Sequence, residues 1–128
     1  MKPAKSVPTD VELELLKVIW ERGEATVREV YKELAKQRRI AYTTVLTMMG
    51  VLERKGHLRK VAGERAYVYR PTQPRGRVVG NMVDEFVERV FSGSAKPLLV
   101  HLVEDPNIPA EDLAEIEKLV RARRKHKE

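Results

Sequence analysis

Residues 41–70 read AYTTVLTMMGVLERKGHLRKVAGERAYVYR, and their periodicity decides how the whole chain is organised. A helix advances about 100° per residue, so with Val45 at zero the side chains of Met48, Met49 and Leu52 fall within roughly 60° of it. Such a stripe is what an amphipathic helix buries. The opposite face carries Thr43, Thr47, Gly50 and Arg54, with Leu46 at its edge. A helix that only packs ordinarily surrounds its stripe with Glu, Lys and Arg. Here the far face is short and uncharged for two turns and then becomes basic. The plain alternative is a poor surface helix whose threonines cap or bend it. Gly56 is placed to end the helix in the left-handed conformation. Residues 57–61 and 66–70 then read as short strands. Ala62-Gly63-Glu64-Arg65 between them has turn chemistry, and Tyr67 and Tyr69 alternate with their neighbours as in a half-buried strand.

Arg54, Lys55, Arg59, Lys60, Arg65 and Arg70 all fall in this stretch. A basic cluster alone is usually a solvated face. Beside a helix lined with hydroxyls it points to DNA, because Thr offers a hydroxyl to a base edge and a methyl to thymine. Gly50 lets a backbone approach closely, although a mid-helix Gly costs about 1 kcal/mol relative to Ala. The wider charge pattern agrees. Residues 1–71 hold 15 Lys+Arg against 9 Asp+Glu, whereas residues 72–128 hold 10 of each, so the net charge of +6 resides in the first part. A basic module joined to a neutral one suggests that one part meets a polyanion and the other has a separate task. A membrane surface is the weaker reading, because no helix combines a cationic face with a Trp/Phe-rich apolar one.

Upstream, Thr9 or Asp10 can cap a first helix with Leu13, Leu16, Val18, Ile19 and Trp20 as apolar positions, ended by Gly23. Thr26-Val27-Arg28-Glu29 matches a capping box. Val27, Val30, Tyr31 and Leu34 then recur at helical spacing. The basic end of this second helix, Lys36, Arg38 and Arg39, suits the helix dipole and is equally placed to reach phosphate. Three helices followed by a hairpin give a winged helix-turn-helix. Pro71 and Pro74 set a boundary, so the expected domains are 1–71 and 72–128. Beyond it, a fourth helix to about Phe91 presents Val79, Met82, Val83, Phe86 and Val90 on one face. Ser94 can cap a fifth carrying Leu98, Leu99, Leu102 and Val103, with Pro97 in its first turn. A sixth carries Leu113, Ile116, Leu119 and Val120, and the tail RARRKHKE is expected to fray. These last helices form a thin core alone, a deficit that a second copy removes. Packing in cis is the alternative. The expected fold is thus mainly α with a small β-hairpin wing, a winged helix-turn-helix plus a C-terminal helical dimerisation domain.

The composition sets limits. With 34% charged and 42% hydrophobic residues in 128, the chain has the make-up of a soluble folded protein. Its apolar runs are too short to cross a bilayer. MKPAKSVPTD lacks the apolar core of a signal peptide, which points to the cytoplasm. The absence of Cys excludes disulfides, thiolate metal sites and a cysteine nucleophile. His57, His101 and His126 are too scattered to suggest a metal site, and no cofactor is expected. There is no phosphate-binding Gly-rich loop, H-E-x-x-H pair or Rossmann fingerprint, and Ser6, Ser92 and Ser94 have no neighbouring His, so an enzyme is not expected.

The ordered set of motifs resembles the BlaI/MecI/CopY penicillinase-repressor family of bacterial transcriptional regulators, over about residues 8–120. The resemblance is carried by Ile19-Trp20, Ala41-Tyr42-Thr43-Thr44-Val45-Leu46-Thr47, Leu52-Glu53-Arg54-Lys55-Gly56, Tyr67-Val68-Tyr69-Arg70-Pro71 and Leu98-Leu99-Val100-His101-Leu102-Val103-Glu104. It implies a homodimer that binds palindromic operators in double-stranded DNA and represses by occluding the promoter. It places Thr43, Thr44, Leu46 and Thr47 on the recognition helix and Arg65 in the wing. With the reading above, the expected DNA-facing set is Tyr42, Thr43, Thr44, Leu46, Thr47, Gly50, Arg54 and Arg65. The expected dimerisation set is Val79, Val83, Phe86, Leu98, Leu99, Leu102, Ile116 and Val120. In the best-known members Lys and Arg stand where this chain has Thr43 and Leu46, so the base sequence read is expected to differ. β-Lactam-responsive members are relieved when a membrane sensor-protease system triggers cleavage at an Asn-Phe bond. The matching residues here are His101-Leu102, the candidate cleavage position. Copper-responsive members use a C-terminal Cys cluster, which this chain lacks. A small-molecule-responsive winged-helix regulator and a winged-helix protein-interaction adaptor are the alternatives. A basic wing beside a Thr-lined helix weighs against the adaptor.

Overall fold

The structure, a computed structural model, describes residues 6–127, without the side chain of Lys127. The start of the segment examined for a signal peptide, residues 1–5, lies outside the described residues. The element order is α1 (Asp10–Arg22), α2 (Val27–Ala35), α3 (Tyr42–Arg54), β1 (Leu58–Ala62), β2 (Tyr67–Pro71), α4 (Arg75–Phe91), α5 (Lys96–Glu104) and α6 (Ala110–Lys127). The chain divides into two compact units, residues 1–85 and 86–128. The division falls inside α4 rather than at Pro71, because Val78 is buried in the core of the first unit and Met82 packs against it.

Local sequence starts and stops the helices of the first unit. At α1, Thr9 and Glu12 form a reciprocal capping box, and at α2 Thr26 and Glu29 do the same. Each supplies partners for backbone N–H groups that helical geometry leaves open, worth about 1 kcal/mol per cap. Gly23 ends α1 at φ 87°. After α3, Gly56 stands at φ 89°, and the amides of His57 and Gly56 bond the carbonyls of Leu52 and Glu53 at 2.9 and 3.0 Å. That is a Schellman closure, which a residue with a Cβ makes at a steric cost.

The buried faces of the three helices converge. Leu15, Leu16 and Ile19 of α1, Val30 of α2, and Val45, Met49 and Leu52 of α3 are all fully buried. Each contributes about 1.5–3 kcal/mol through the apolar surface it removes from water. Trp20, one of the apolar positions expected of α1, packs against the core while remaining half-buried. The hairpin is antiparallel, with Leu58 opposite Pro71 and Ala62 opposite Tyr67, and each strand lies one residue later than its sequence signal. The cause is the register: Leu58 and Tyr69 are the residues that reach the core. Ala25, between α1 and α2, exchanges two backbone hydrogen bonds with Tyr69 (3.1 and 2.8 Å) and pins the hairpin to the helices.

A buried polar pair completes this unit. Lys55 Nζ donates to Glu12 Oε1 at 2.6 Å, joining the first turn of α1 to the end of α3. Burial by itself pushes the Glu12 pKa up. The Lys55 hydrogen bond, the Thr9 amide and the nearby Lys55 and His57 charges outweigh it and hold the carboxyl below the ordinary glutamate range. His57 is buried alongside, and its Nε2 donates to the Ser6 carbonyl at 2.9 Å, which ties the segment before α1 to the root of the wing.

The second unit is of a different kind. Among the described residues of 86–128 no side chain is buried. Phe86, Val90, Leu99, Val100, Leu102, Val103, Ile116, Leu119 and Val120 are exposed large apolar residues. Phe86 and Phe91 meet edge to face at 5.8 Å, and Leu98 and Leu113 are half-buried. Two local expectations are corrected. Ser94 does not cap α5; the cap position is Ala95 and makes no side-chain bond, because Ser92 and Gly93 at φ 52° and 87° close α4 and set the entry one residue later. The basic tail does not fray but continues α6 to Lys127. Arg and Lys are good helix formers, cations suit a helix C-terminus, and Glu117 pairs with Arg121 at 3.3 Å on the same helix.

Candidate nucleic-acid interface

The outward face of α3 is exposed through its first two turns. Tyr42, Thr43, Thr44, Leu46 and Thr47 all meet solvent, while Val45 and Met49 point into the core. Two rows result from the i, i+4 spacing. Thr43 and Thr47 form a hydroxyl row, and Tyr42 and Leu46 form an apolar row beside it. Gly50 is half-buried, with the Arg54 guanidinium lying over the space where a Cβ would project. The Schellman closure and the Glu12–Lys55 pair both act at the C-terminal end of α3, so that end is held to the core by backbone and by charge.

The basic residues of residues 54–70 divide once their partners are seen. Lys55 is committed to Glu12, and Arg70 to Glu24 at 2.8 Å. In the segment after α2, Arg38 pairs with Glu14 at 2.9 Å and Lys36 with Glu33 at 3.3 Å, which favours the local reading for those two, whereas Arg39 is exposed and enters no ion pair among the described residues. Arg54, Arg59, Lys60 and Arg65 are exposed and enter no ion pair among the described residues. They are the cations of this stretch that are available to a polyanion. Lys60 lies 4.5 Å from the ring centre of Tyr67 in the wing, a cation–π contact.

One participant escaped the sequence reading. Arg28, in the first turn of α2, places its guanidinium 5.8 Å from the Tyr42 ring, which Tyr31 meets edge-on from another side at 5.6 Å. Tyr42 is therefore held by two neighbours. Arg28, Tyr42, Leu46, Arg65, Tyr67 and Tyr69 line a hollow between α3 and the wing. Arg28 lies inside the capping-box motif, and nothing in its local sequence points to Tyr42. Among the described residues no group of three or more His, Asp or Glu could hold a metal, and no helix is long and apolar enough to cross a membrane.

The expected dimerisation residues do not share one environment. Val83, Phe86, Leu99, Leu102, Ile116 and Val120 are exposed, whereas Val79 and Leu98 are half-buried. His101 and Leu102, the candidate cleavage position, lie exposed within α5.

Three packed helices closed by a two-stranded wing, with a solvent-facing third helix, define a winged helix-turn-helix protein. A sequence profile described as penicillinase repressor matches residues 8–122, and the chain belongs to that family, whose members are transcriptional repressors and not enzymes. It is 38% identical over 97 residues to the transcriptional regulator BlaI of Mycobacterium tuberculosis, spanning 74% of this chain and 70% of that one. It is 27% identical over 125 residues to the penicillinase repressor of Bacillus licheniformis, spanning 96% and 98%. Among solved structures it is similar to the Bacillus licheniformis BlaI monomeric form in complex with the blaP half-operator. That match has 36% identity and a TM-score of 0.51, covering 59% of this chain and 92% of the other.

Proposed function

We propose that this DNA-binding transcriptional repressor works as a homodimer on inverted-repeat operators, with α3 entering the major groove and the wing resting on the adjoining backbone. The observation that carries the reading is the exposed Thr43–Thr47 row beside Arg54, Arg59, Lys60 and Arg65, which enter no ion pair among the described residues. Hydroxyls and methyls supply base contacts, and the cations supply the salt-dependent attraction to phosphate. The similarity to a repressor solved with a half-operator supports the same use of this unit. Dimerisation is supported by the second unit, whose large apolar side chains are exposed and whose described residues include no buried core. Two copies related by a two-fold axis read two half-sites.

The test begins with duplexes recovered from a random pool by the full chain. The expected result is a symmetric sequence. Replacing Thr43 and Thr47 with Ala is expected to weaken binding to it by about 1–3 kcal/mol per lost base contact while sparing unrelated DNA. Arg65→Ala is expected to weaken binding to all sequences and to lower the salt slope by about one. Tight selective binding that survives both changes removes this surface from the recognition role.

Release follows from cleavage near His101-Leu102 in α5, with a membrane sensor-protease system upstream. The exposure of both residues supports it. In cells challenged with a β-lactam, mass spectrometry of the recovered chain is expected to find a new terminus at or beside this bond. An intact chain on a derepressed promoter rules out this route.

A further inference from the structure

We infer that Leu46, with Tyr42 behind it, reads the C5-methyl group of a thymine in each half-site, so that this repressor's base preference at one position rests on apolar contact. The inference rests on the DNA-reading role of α3 proposed above. Leu46 is 47% exposed and Tyr42 39%, on a helix whose Val45, Met49 and Leu52 are sealed in the core and whose Met48 and Val51 are half-buried. Both also line the hollow between α3 and the wing, next to Arg28, Arg65 and Tyr67.

Three features make this a reading surface for a methyl group on a polyanion. Leu has neither donor nor acceptor, so among base edges in the major groove it discriminates only through the one apolar group displayed there, the thymine methyl. Tyr42 is fixed by the Tyr31 ring at 5.6 Å and the Arg28 guanidinium at 5.8 Å, so the ledge beside Leu46 is pre-formed. The cations around the hollow, Arg28 and Arg65, are complementary to the phosphates that flank any base brought there, which identifies duplex DNA as the occupant rather than an apolar peptide. The neighbouring Thr43–Thr47 row remains available for hydrogen bonding to the adjacent base.

The probe is the tightest duplex that the full chain recovers from a random pool, compared with copies in which symmetric pairs of thymines are replaced one pair at a time by deoxyuridine. One pair is expected to be sensitive, with affinity falling about ten- to a hundredfold when the methyl is removed from both half-sites, the square of a three- to tenfold effect per methyl. Leu46→Ala, an exposed substitution, is expected to bind the thymine and deoxyuridine duplexes alike at that pair. Thr43→Ala is expected to leave the ratio unchanged. If wild type tolerates deoxyuridine at every pair, the inference is overturned. It is also overturned if a sensitive pair keeps its ratio in Leu46→Ala and loses it in Thr43→Ala or Thr47→Ala, since the methyl is then read by threonine. Failure of the underlying DNA-reading role looks different: no sequence is enriched from the pool at all.

Discussion

A chain carrying both Leu99→Asp and Leu102→Asp is expected to sediment as a monomer and to bind its selected operator about a hundredfold or more weakly, while retaining the affinity of one module for one half-site. Leu99 is 57% exposed and Leu102 41%, on a helix with no buried residue. Burying such side chains in a partner contributes about 1.5–3 kcal/mol each, and a carboxylate at the same position must instead be dehydrated. The loss on DNA is larger than the lost contact suggests. When two modules are joined, the second half-site is met at high effective concentration, which raises affinity by about 10²–10⁴ without any new base contact. Leu98 is a poorer choice despite its place in the same apolar set. It is half-buried within its own unit, so a charge there threatens folding as well as association. Sedimentation and operator titration on the same preparation separate the possibilities. A variant that remains dimeric places the interface elsewhere, and a monomer with undiminished operator affinity shows that dimerisation is not how the operator is held.

The second large effect concerns stability. Glu12→Ala is expected to cost about 3 kcal/mol, because it strands the Lys55 ammonium in a partly buried site and opens the cap of α1. The Glu12 side chain is only 8% exposed and that of Lys55 23%, so neither is freely rehydrated while the fold persists. In a domain of this size each kcal/mol shifts the melting temperature by about 4–8 °C, so a fall of more than about 10 °C is expected. Replacing both partners, Glu12→Leu with Lys55→Met, is expected to recover much of the loss, since an apolar pair leaves no charge unmatched. The pH dependence has a definite sign. The folded carboxyl of Glu12 titrates below its unfolded value of 4.5, so the pair's contribution is fully present above that pH. It is lost as pH falls through the lower, folded value. Glu29 adds in the same direction, through the Thr26 amide first and Arg22 beside it. Wild type is therefore expected to lose stability on acidification below about pH 4.5. Glu12→Ala is expected to show a shallower loss over the same range. Equal slopes in the two proteins separate the acid response from this pair.

The Glu12–Lys55 pair also marks how far the sequence could be read. Thr26 was legible as a cap because a capping box lies within four residues of chain, and the structure chose Thr9 over Asp10 at the first helix. The buried stripe of Val45, Met49 and Leu52, and hence the outward face with Thr43 and Thr47, followed from the pitch of one helix. Local errors were small and had local causes: the strands moved by one residue to bring Leu58 and Tyr69 into the core, and α5 began after Ala95 rather than after Ser94.

Short-range order by itself determined the helices, the wing, the winged-helix order of elements and the face of α3 turned outward, because helical pitch, strand alternation and capping act over a few residues. Only the tertiary structure decided which charges were available and what held α3 in place. Lys55 and Arg70 fell in the same basic cluster as Arg54 and Arg65, and it is the structure that occupies the first two with Glu12 and Glu24. Arg28 gave no sign of meeting Tyr42, and Ala25 none of bridging to Tyr69. These partners are brought together by the packing of α1, α2 and α3 and by the hairpin folding back on them. An ion pair or ring contact requires a separation of a few ångströms, which no periodicity in the chain encodes.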